Sequence, residues 1–157
     1  MAPPFLRPGK GLWRRGLWLG CAALFIIRAL RHDPPMKTRY VDVSPYITKD
    51  GSIIRELMHP DRHDACRQSL AEAIVPPSST TLAHVHHKTE ELYHVLDGQG
   101  CMTLGGETFE VSPGDTVLIP PGTVHCIQNT GQRDLRVLCC CSPAYSHGDT
   151  ELCGPEE

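Results

Sequence analysis

The 157-residue chain has no stretch of about twenty consecutive apolar residues, no basic stripe, and no paired Cys/His spacing of the structural-zinc kind. The apolar run Gly16 to Ile27, flanked by Lys10, Arg14 and Arg15 before it and Arg28 and Arg31 after it, is too short to cross a bilayer comfortably. As a signal h-region it lacks a clear small-x-small cleavage site before Asp33. Leu19-Gly20-Cys21 fails as a lipoprotein box because the apolar run continues past Cys21, and Arg14-Arg15-Gly16-Leu17-Trp18 resembles a twin-arginine signal only faintly. Residues 1–35 are therefore expected to be an extension ahead of a working domain that begins near Met36. A membrane anchor or export signal is the alternative, and only then would a membrane be a partner.

A net charge of -3 gives no surface suited to neutralising phosphates, so nucleic acid is not expected as a partner. His59, His63 and Cys66 share one loop, Met58 to Arg67, without paired zinc spacing, and are read as solvated. The eight cysteines do not form a disulfide framework, because Cys139, Cys140 and Cys141 are consecutive and Cys101 and Cys126 fall within expected strands. They read as buried free thiols, hence a reducing, cytoplasmic setting, with membrane anchoring or export through the N-terminal segment as the alternative.

Forty per cent hydrophobic residues suffice for one core in one domain. Fourteen prolines and fourteen glycines, spread between short apolar runs, indicate many short strands and turns, an all-β sandwich or barrel. Strands are expected over Met36–Val43, Ser52–Leu57, Gln68–Val75, Ala83–His86, Glu91–Leu96, Gly100–Leu104, Glu107–Val111, Thr116–Ile119, Val124–Gln128 and Leu135–Cys141, with Thr116–Ile119 buried. Lys49-Asp50-Gly51 and Gly105-Gly106 read as hairpin turns. Ser142 onward is polar and acidic and reads as a loose tail, which leaves one domain over residues 36–145 and a tail over 146–157.

Candidate chemistry lies on three of these strands. Strand side chains alternate between faces, so His84 and His86 point the same way with Val85 opposed. Glu91 shares its face with Tyr93 and Val95, and His125 follows the rigid turn Pro120-Pro121-Gly122. His87 and His94 fall out of phase and read as surface histidines. Three imidazoles and a carboxylate suit one divalent transition metal, Fe(II), Mn, Co, Ni or Zn, better than Ca or Mg, which prefer oxygen shells. Glu90 competes with Glu91 for the carboxylate position.

The spacing in His84 to Gly98, His-x-His, four residues, Glu, six residues, Gly, resembles the first motif of the cupin family. Gly114 to Asn129 is similar to the second, with Gly114, Pro120, Gly122, His125 and Asn129 in place. The resemblance covers about Ser52 to Ser142. It implies a jelly-roll (double-stranded β-helix) barrel of the small single-domain cupin kind, with His84, His86, Glu91 and His125 as metal ligands. Glu91 is preferred over Glu90 because six residues then lead to Gly98. Ser78 stands where the family has a glycine six residues before the first His, so the turn there departs from the pattern. A homodimer is expected by the same analogy, since open outer strands invite pairing.

Four protein ligands leave one or two metal positions open, which suits chemistry better than a closed structural site. Tyr93 shares the ligand face and is the candidate catalytic residue, with a wall role as the alternative. No Arg or Lys can be placed beside the metal, so a strongly anionic substrate is not indicated. The leading expectation is a metal-dependent oxygenase, isomerase or lyase acting on a small organic molecule, since the family narrows reaction class little. A non-enzymatic, metal-dependent small-molecule binding or sensing module is the alternative, distinguished by saturable binding without product. A purely structural barrel would hold no metal.

Overall fold

In a computed structural model the described residues are 36–154. The expected N-terminal extension, and with it the anchor or export reading, lies outside them.

Eleven strands follow one 3-10 turn: β1 Tyr46–Ile47, β2 Ile53–Met58, β3 Ser69–Val75, β4 His84–His86, β5 Glu90–Asp97, β6 Gly100–Leu104, β7 Glu107–Val111, β8 Thr116–Ile119, β9 His125–Asn129, β10 Leu135–Ser142 and β11 Thr150–Leu152. They form two antiparallel sheets, ordered β1-β2-β3-β10-β5-β8 and β11-β4-β9-β6-β7. This is the all-β jelly roll expected. Two-residue periodicity makes the core: on β5, Glu91, Tyr93 and Val95 are buried while Leu92 and Leu96 face out. Met102, Ile119, Leu135, Val95 and Val137 fill the centre with almost no exposure.

The turns are chosen by sterics. Gly98 closes β5 at φ +89, and a Cβ there would stand 2.7 Å from the Asp134 carbonyl oxygen and from the Leu135 Cα, both backbone. Ser78, the departure from the glycine pattern, adopts φ 61, so the left-handed turn is kept without the residue that relieves it.

Several expectations need correcting. Met36–Val43 is not a strand: Tyr40–Asp42 is a 3-10 turn, and Val41 is left exposed. Instead of pairing, Tyr40 donates its hydroxyl to Glu72 Oε2 at 2.5 Å and stacks its ring beneath the Arg55 guanidinium. The Thr116–Ile119 strand is an edge strand, buried only at Ile119 and half-buried at Val117. The loop holding His59 and His63 is not wholly solvated. His63 is buried, its Nδ1 accepting the His59 backbone N–H at 2.9 Å, and His59 Nε2 lies 2.9 Å from the Tyr145 carbonyl oxygen. Cys139 and Cys141 are buried free thiols as expected, but Cys101, Cys126 and Cys140 are half-buried and Cys66 is exposed.

The loose tail is the largest correction. Residues 146–154 return to the body: β11 pairs with β4, placing Thr150 opposite His86 and Leu152 opposite His84. The Asp149 carboxylate accepts the backbone N–H groups of Lys88 and Thr89, at 3.1 and 3.0 Å. Cys153 N–H donates to the Ala83 carbonyl at 2.8 Å. Fixed backbone bonds of this kind, more than composition, decided the segment's fate.

The turn at Ser78 yields a stability prediction. Ser78→Gly removes about 1 to 2 kcal/mol of left-handed strain and adds about 0.5 to 1 kcal/mol of unfolded-chain entropy. The variant is expected to be more stable by roughly 0.5 to 1 kcal/mol, whereas the β-branched Ser78→Val should be less stable than the parent. Urea unfolding midpoints check both, and a Gly variant no more stable than the parent would contradict the strain argument.

Candidate metal centre

His84 and His86 come from β4, His125 from its neighbour β9, and Glu91 from β5 in the facing sheet. His84 and His125 are direct cross-strand partners. Alternation puts both β4 histidines on the inner face, and Glu91 reaches across from the other sheet. All four are buried, and one potential ligand atom from each lies within 4.8 Å of the others. The four expected residues are brought together, and of the two candidate carboxylates Glu91 joins the cluster while Glu90 is exposed on the outer face. Among the described residues no other group of three or more His, Cys, Asp or Glu is gathered in this way. His87 is exposed beside Glu151, as expected, whereas His94, expected at the surface, is half-buried beside Thr116; neither joins the cluster.

Each imidazole has its Nδ1 engaged on the side away from the cluster. His84 Nδ1 lies 2.9 Å from the Leu82 carbonyl, His125 Nδ1 3.0 Å from the Thr123 carbonyl, and His86 Nδ1 3.0 Å from Thr150 Oγ1. A carbonyl only accepts, so His84 and His125 carry their protons on Nδ1 and turn Nε2 lone pairs inward. His86 Nε2 sits 3.0 Å from Glu91 Oε2, and His125 Nε2 lies 3.6 Å from the same oxygen. His125 Nε2 is buried with no hydrogen-bond partner. Burying a polar nitrogen without a partner costs on the order of 1 to 3 kcal/mol, and a cation at the centre of the cluster would satisfy it. The donor set of three imidazole nitrogens and one carboxylate therefore fits a borderline divalent metal.

The electrostatics agree. Burial, then the neighbouring His125, holds His84 below the ordinary imidazole range, which favours the neutral, coordinating form. Burial pushes the Glu91 carboxyl up, but the His125 and His86 imidazoles beside it outweigh that and bring the group to about 2. Cys139 and Cys141 also face the interior. Burial pushes both thiols up, so neither offers a thiolate at neutral pH.

Beside His84, His86 and Glu91 lies a cavity of about 40 Å³, room for a few waters, walled by Tyr93, Ile54, Ala73, Glu56 and Tyr145. Tyr93 is buried at 5% exposure, its ring edge-on to His125 with centroids 5.9 Å apart, and burial raises its phenol, which is therefore neutral. Lys49 reaches the rim, but its ammonium donates to the carbonyls of His147 and Thr150. Glu56, Tyr46 and Tyr145 also line an open outer pocket of about 500 Å³.

Sequence reasoning missed three wall residues: Thr150, Tyr145 and Glu56. Glu56 had a usable signal, since a carboxylate in β2 at the inward phase of Ile54 has no reason to be there as core. Its Oε1 is buried without a partner, its Oε2 accepts the Tyr46 hydroxyl at 3.3 Å, and burial raises the carboxyl. Thr150 and Tyr145 had none, because they reach the site only through the fold of residues 143–153.

Comparison with known proteins places this geometry. The cupin domain family (Cupin_2) matches residues 71–141, the span from β3 to β10 that carries all four residues of the cluster. The uncharacterized protein MJ1618 of Methanocaldococcus jannaschii is 57% identical over 117 residues, covering 74% of this chain and 94% of that protein. Polyketide synthase CurC of Streptomyces cyaneus is 30% identical over 123 residues, 74% of this chain and 80% of that one. The crystal structure of the polyketide cyclase RemF from Streptomyces resistomycificus superposes with a TM-score of 0.65 at 26% identity, covering 78% of this chain and 88% of that one. Two motifs in order, a two-sheet jelly roll and a relative alike over nearly its whole length lead to one conclusion: the chain belongs to the cupin superfamily, as a small cupin of the Cupin_2 kind.

Proposed function

We propose that this cupin is a divalent-metal-dependent enzyme acting on a small organic molecule, with His84, His86, Glu91 and His125 as the metal ligands. One observation carries the reading: buried imidazoles with Nδ1 engaged elsewhere surround a carboxylate, and the His125 Nε2 has no partner. A bound metal would supply Lewis-acid polarisation of a substrate oxygen and open coordination positions for it. The protein's own contribution is the wall. Tyr93, a neutral phenol, and Glu56, whose carboxyl burial shifts toward the protonated form, are the proton donors placed on the cavity. Ile54, Ala73 and Cys139 keep the same cavity largely apolar. Two of the three similar proteins named above, CurC and RemF, are described as a polyketide synthase and a polyketide cyclase, which makes phenol- and carbonyl-bearing molecules the first substrates to screen. Oxygenase, isomerase and lyase chemistry all remain within what such a wall can support.

The test is metal analysis of anaerobically purified protein, followed by product and oxygen-consumption assays with phenolic, sugar and carboxylate compounds. Product that depends on the metal supplied is expected. Saturable binding without product would favour a binding or sensing module instead, and protein that never takes up metal would end the reading. His125→Ala should lose metal-dependent turnover and bind metal far more weakly, yet stay folded with a stability change of about 1 to 3 kcal/mol. The core around Met102 and Leu135 does not depend on this residue. Unfolding of His125→Ala, seen by circular dichroism, would mean that the site holds the fold and not the reverse.

Protons compete with metal for imidazole nitrogen, so affinity should fall as pH drops from about 7 to 5, around the ordinary imidazole value of about 6.5. Because His84 is held below that value, its share of the loss comes at the acid end of the window. Isothermal titration across the range checks this, and a flat affinity would exclude histidine ligation.

We also propose a homodimer. The outer face of the larger sheet carries a row of apolar side chains in register across five strands: Leu118, Leu92, Cys140, Leu70 and Met58. Outer faces of antiparallel sheets are ordinarily polar, and Leu118 is 50% exposed here. Covering that row with a second copy buries it. Sedimentation at micromolar concentration should show a dimer, and Leu92→Glu combined with Leu118→Glu should show a folded monomer. A monomeric parent would exclude the interface.

A further inference from the structure

The C-terminal segment supplies a side chain to the centre. Thr150 is buried at 7% exposure on β11, directly opposite His86 on β4. Its Oγ1 lies 2.9 Å from the Ser146 carbonyl oxygen and 3.0 Å from His86 Nδ1. The carbonyl can only accept, so the hydroxyl proton points to Ser146. The hydroxyl oxygen is thereby left as an acceptor, and the proton in the second bond must come from His86 Nδ1.

We propose that Thr150 is a positioning residue for the centre: by accepting the Nδ1–H of His86 it fixes the ring with Nε2, the nitrogen 3.0 Å from Glu91 Oε2, aimed at the cluster. The other two histidines obtain the same result from carbonyls two residues upstream, Leu82 for His84 and Thr123 for His125. Those acceptors come with the local backbone. His86 has no such carbonyl, and its acceptor is brought from 64 residues away in the chain. One ligand of the set is thus conditional on the docking of residues 146–152. That docking rests on bonds outside the centre, Asp149 to the Lys88 and Thr89 backbone N–H groups and Lys49 to the His147 and Thr150 carbonyls. The edge of the Tyr145 ring against His86, with centroids 5.9 Å apart, restricts the imidazole's rotation from the same segment.

Without the acceptor, the buried Nδ1–H would be unsatisfied, a cost of about 1 to 3 kcal/mol. Moving the proton to Nε2 relieves that cost by hydrogen bonding to Glu91, but occupies the lone pair needed for coordination. Thr150→Val keeps the shape and removes the acceptor, whereas Thr150→Ser keeps the hydroxyl.

The inference rests on the metal-binding reading, and the experiment separates the two. Full-length protein is titrated with Co(II) alone, following its visible absorption. Metal-free protein is examined by long-range 1H–15N NMR of the His86 ring. Thr150→Val is expected to weaken Co(II) binding about 10- to 100-fold, the range for loss of a partner that orients a ligating imidazole. Thr150→Ser should stay within about threefold of the parent. In the metal-free parent His86 Nδ1 should carry a proton, hydrogen-bonded to Thr150, whatever proton Nε2 shares with Glu91, and in Thr150→Val Nδ1 should be unprotonated. Equal Co(II) affinity in the parent and Thr150→Val would overturn the assignment, as would equal losses in Val and Ser, which would mark a packing effect. A parent ring whose Nδ1 carries no proton overturns it too, and that measurement needs no variant to fold. A parent that ignores Co(II) but shows the Nδ1 tautomer would sink the metal reading while leaving the Thr150–His86 assignment standing.

Discussion

Three imidazoles can turn lone pairs toward one point only if their other nitrogens are bonded away from it. The rest of the site depends on that constraint. A buried histidine with both nitrogens free adopts whichever tautomer its surroundings favour, and beside a carboxylate it would donate from Nε2 and close the centre. Here β4 and β9 place His84 and His125 where upstream carbonyls are within reach, and β11 completes the third. The same geometry accounts for keeping four polar groups in an otherwise apolar interior. The cost of burying them is offset by fixed acceptors outside and by the bond between His86 and Glu91 within.

The clustering of His84, His86, Glu91 and His125 was legible in the sequence because the relation that gathers them is local. His84 and His86 are two apart on a strand, and a two-residue period needs no tertiary information to put them on one face. Glu91 and His125 begin strands whose inward phase can be read the same way. Hairpins at Lys49-Asp50-Gly51 and Gly105-Gly106 were likewise visible, since turn chemistry is local. Ser78 was flagged as a departure, but its positive φ shows that the backbone imposes the turn whichever residue stands there.

What could not be read depends on contacts distant in sequence. Ser142 onward has the composition of a tail, and the three-residue strand Thr150–Leu152 is too short for a periodic signal. It is ordered by the Asp149 carboxylate capping the backbone N–H groups of the β4–β5 turn, a contact that composition does not encode. The first expected strand failed for the converse reason. Tyr40, Val41 and Val43 favour extended structure, but the Tyr40 hydroxyl finds Glu72 and the ring finds Arg55, and those contacts outweigh a weak strand preference.

The cysteines nearest the centre show why its donor set is nitrogen and oxygen despite two thiols on the cavity wall. A thiol coordinates as the thiolate, and burial with the negative Glu91 alongside raises both Cys139 and Cys141. Cys141 instead donates its S–H to Glu91 Oε1 at 3.2 Å. That bond occupies one carboxylate oxygen and leaves Oε2 as the one turned to His86 and His125. The thiol thus acts on the centre through the orientation of the carboxylate. Its deprotonation is opposed by the charge it helps to place, so the arrangement reinforces itself: the more firmly Glu91 stays ionised, the less Cys141 can compete as a ligand. A soft-metal thiolate site is disfavoured by the same carboxylate that makes a borderline divalent site possible.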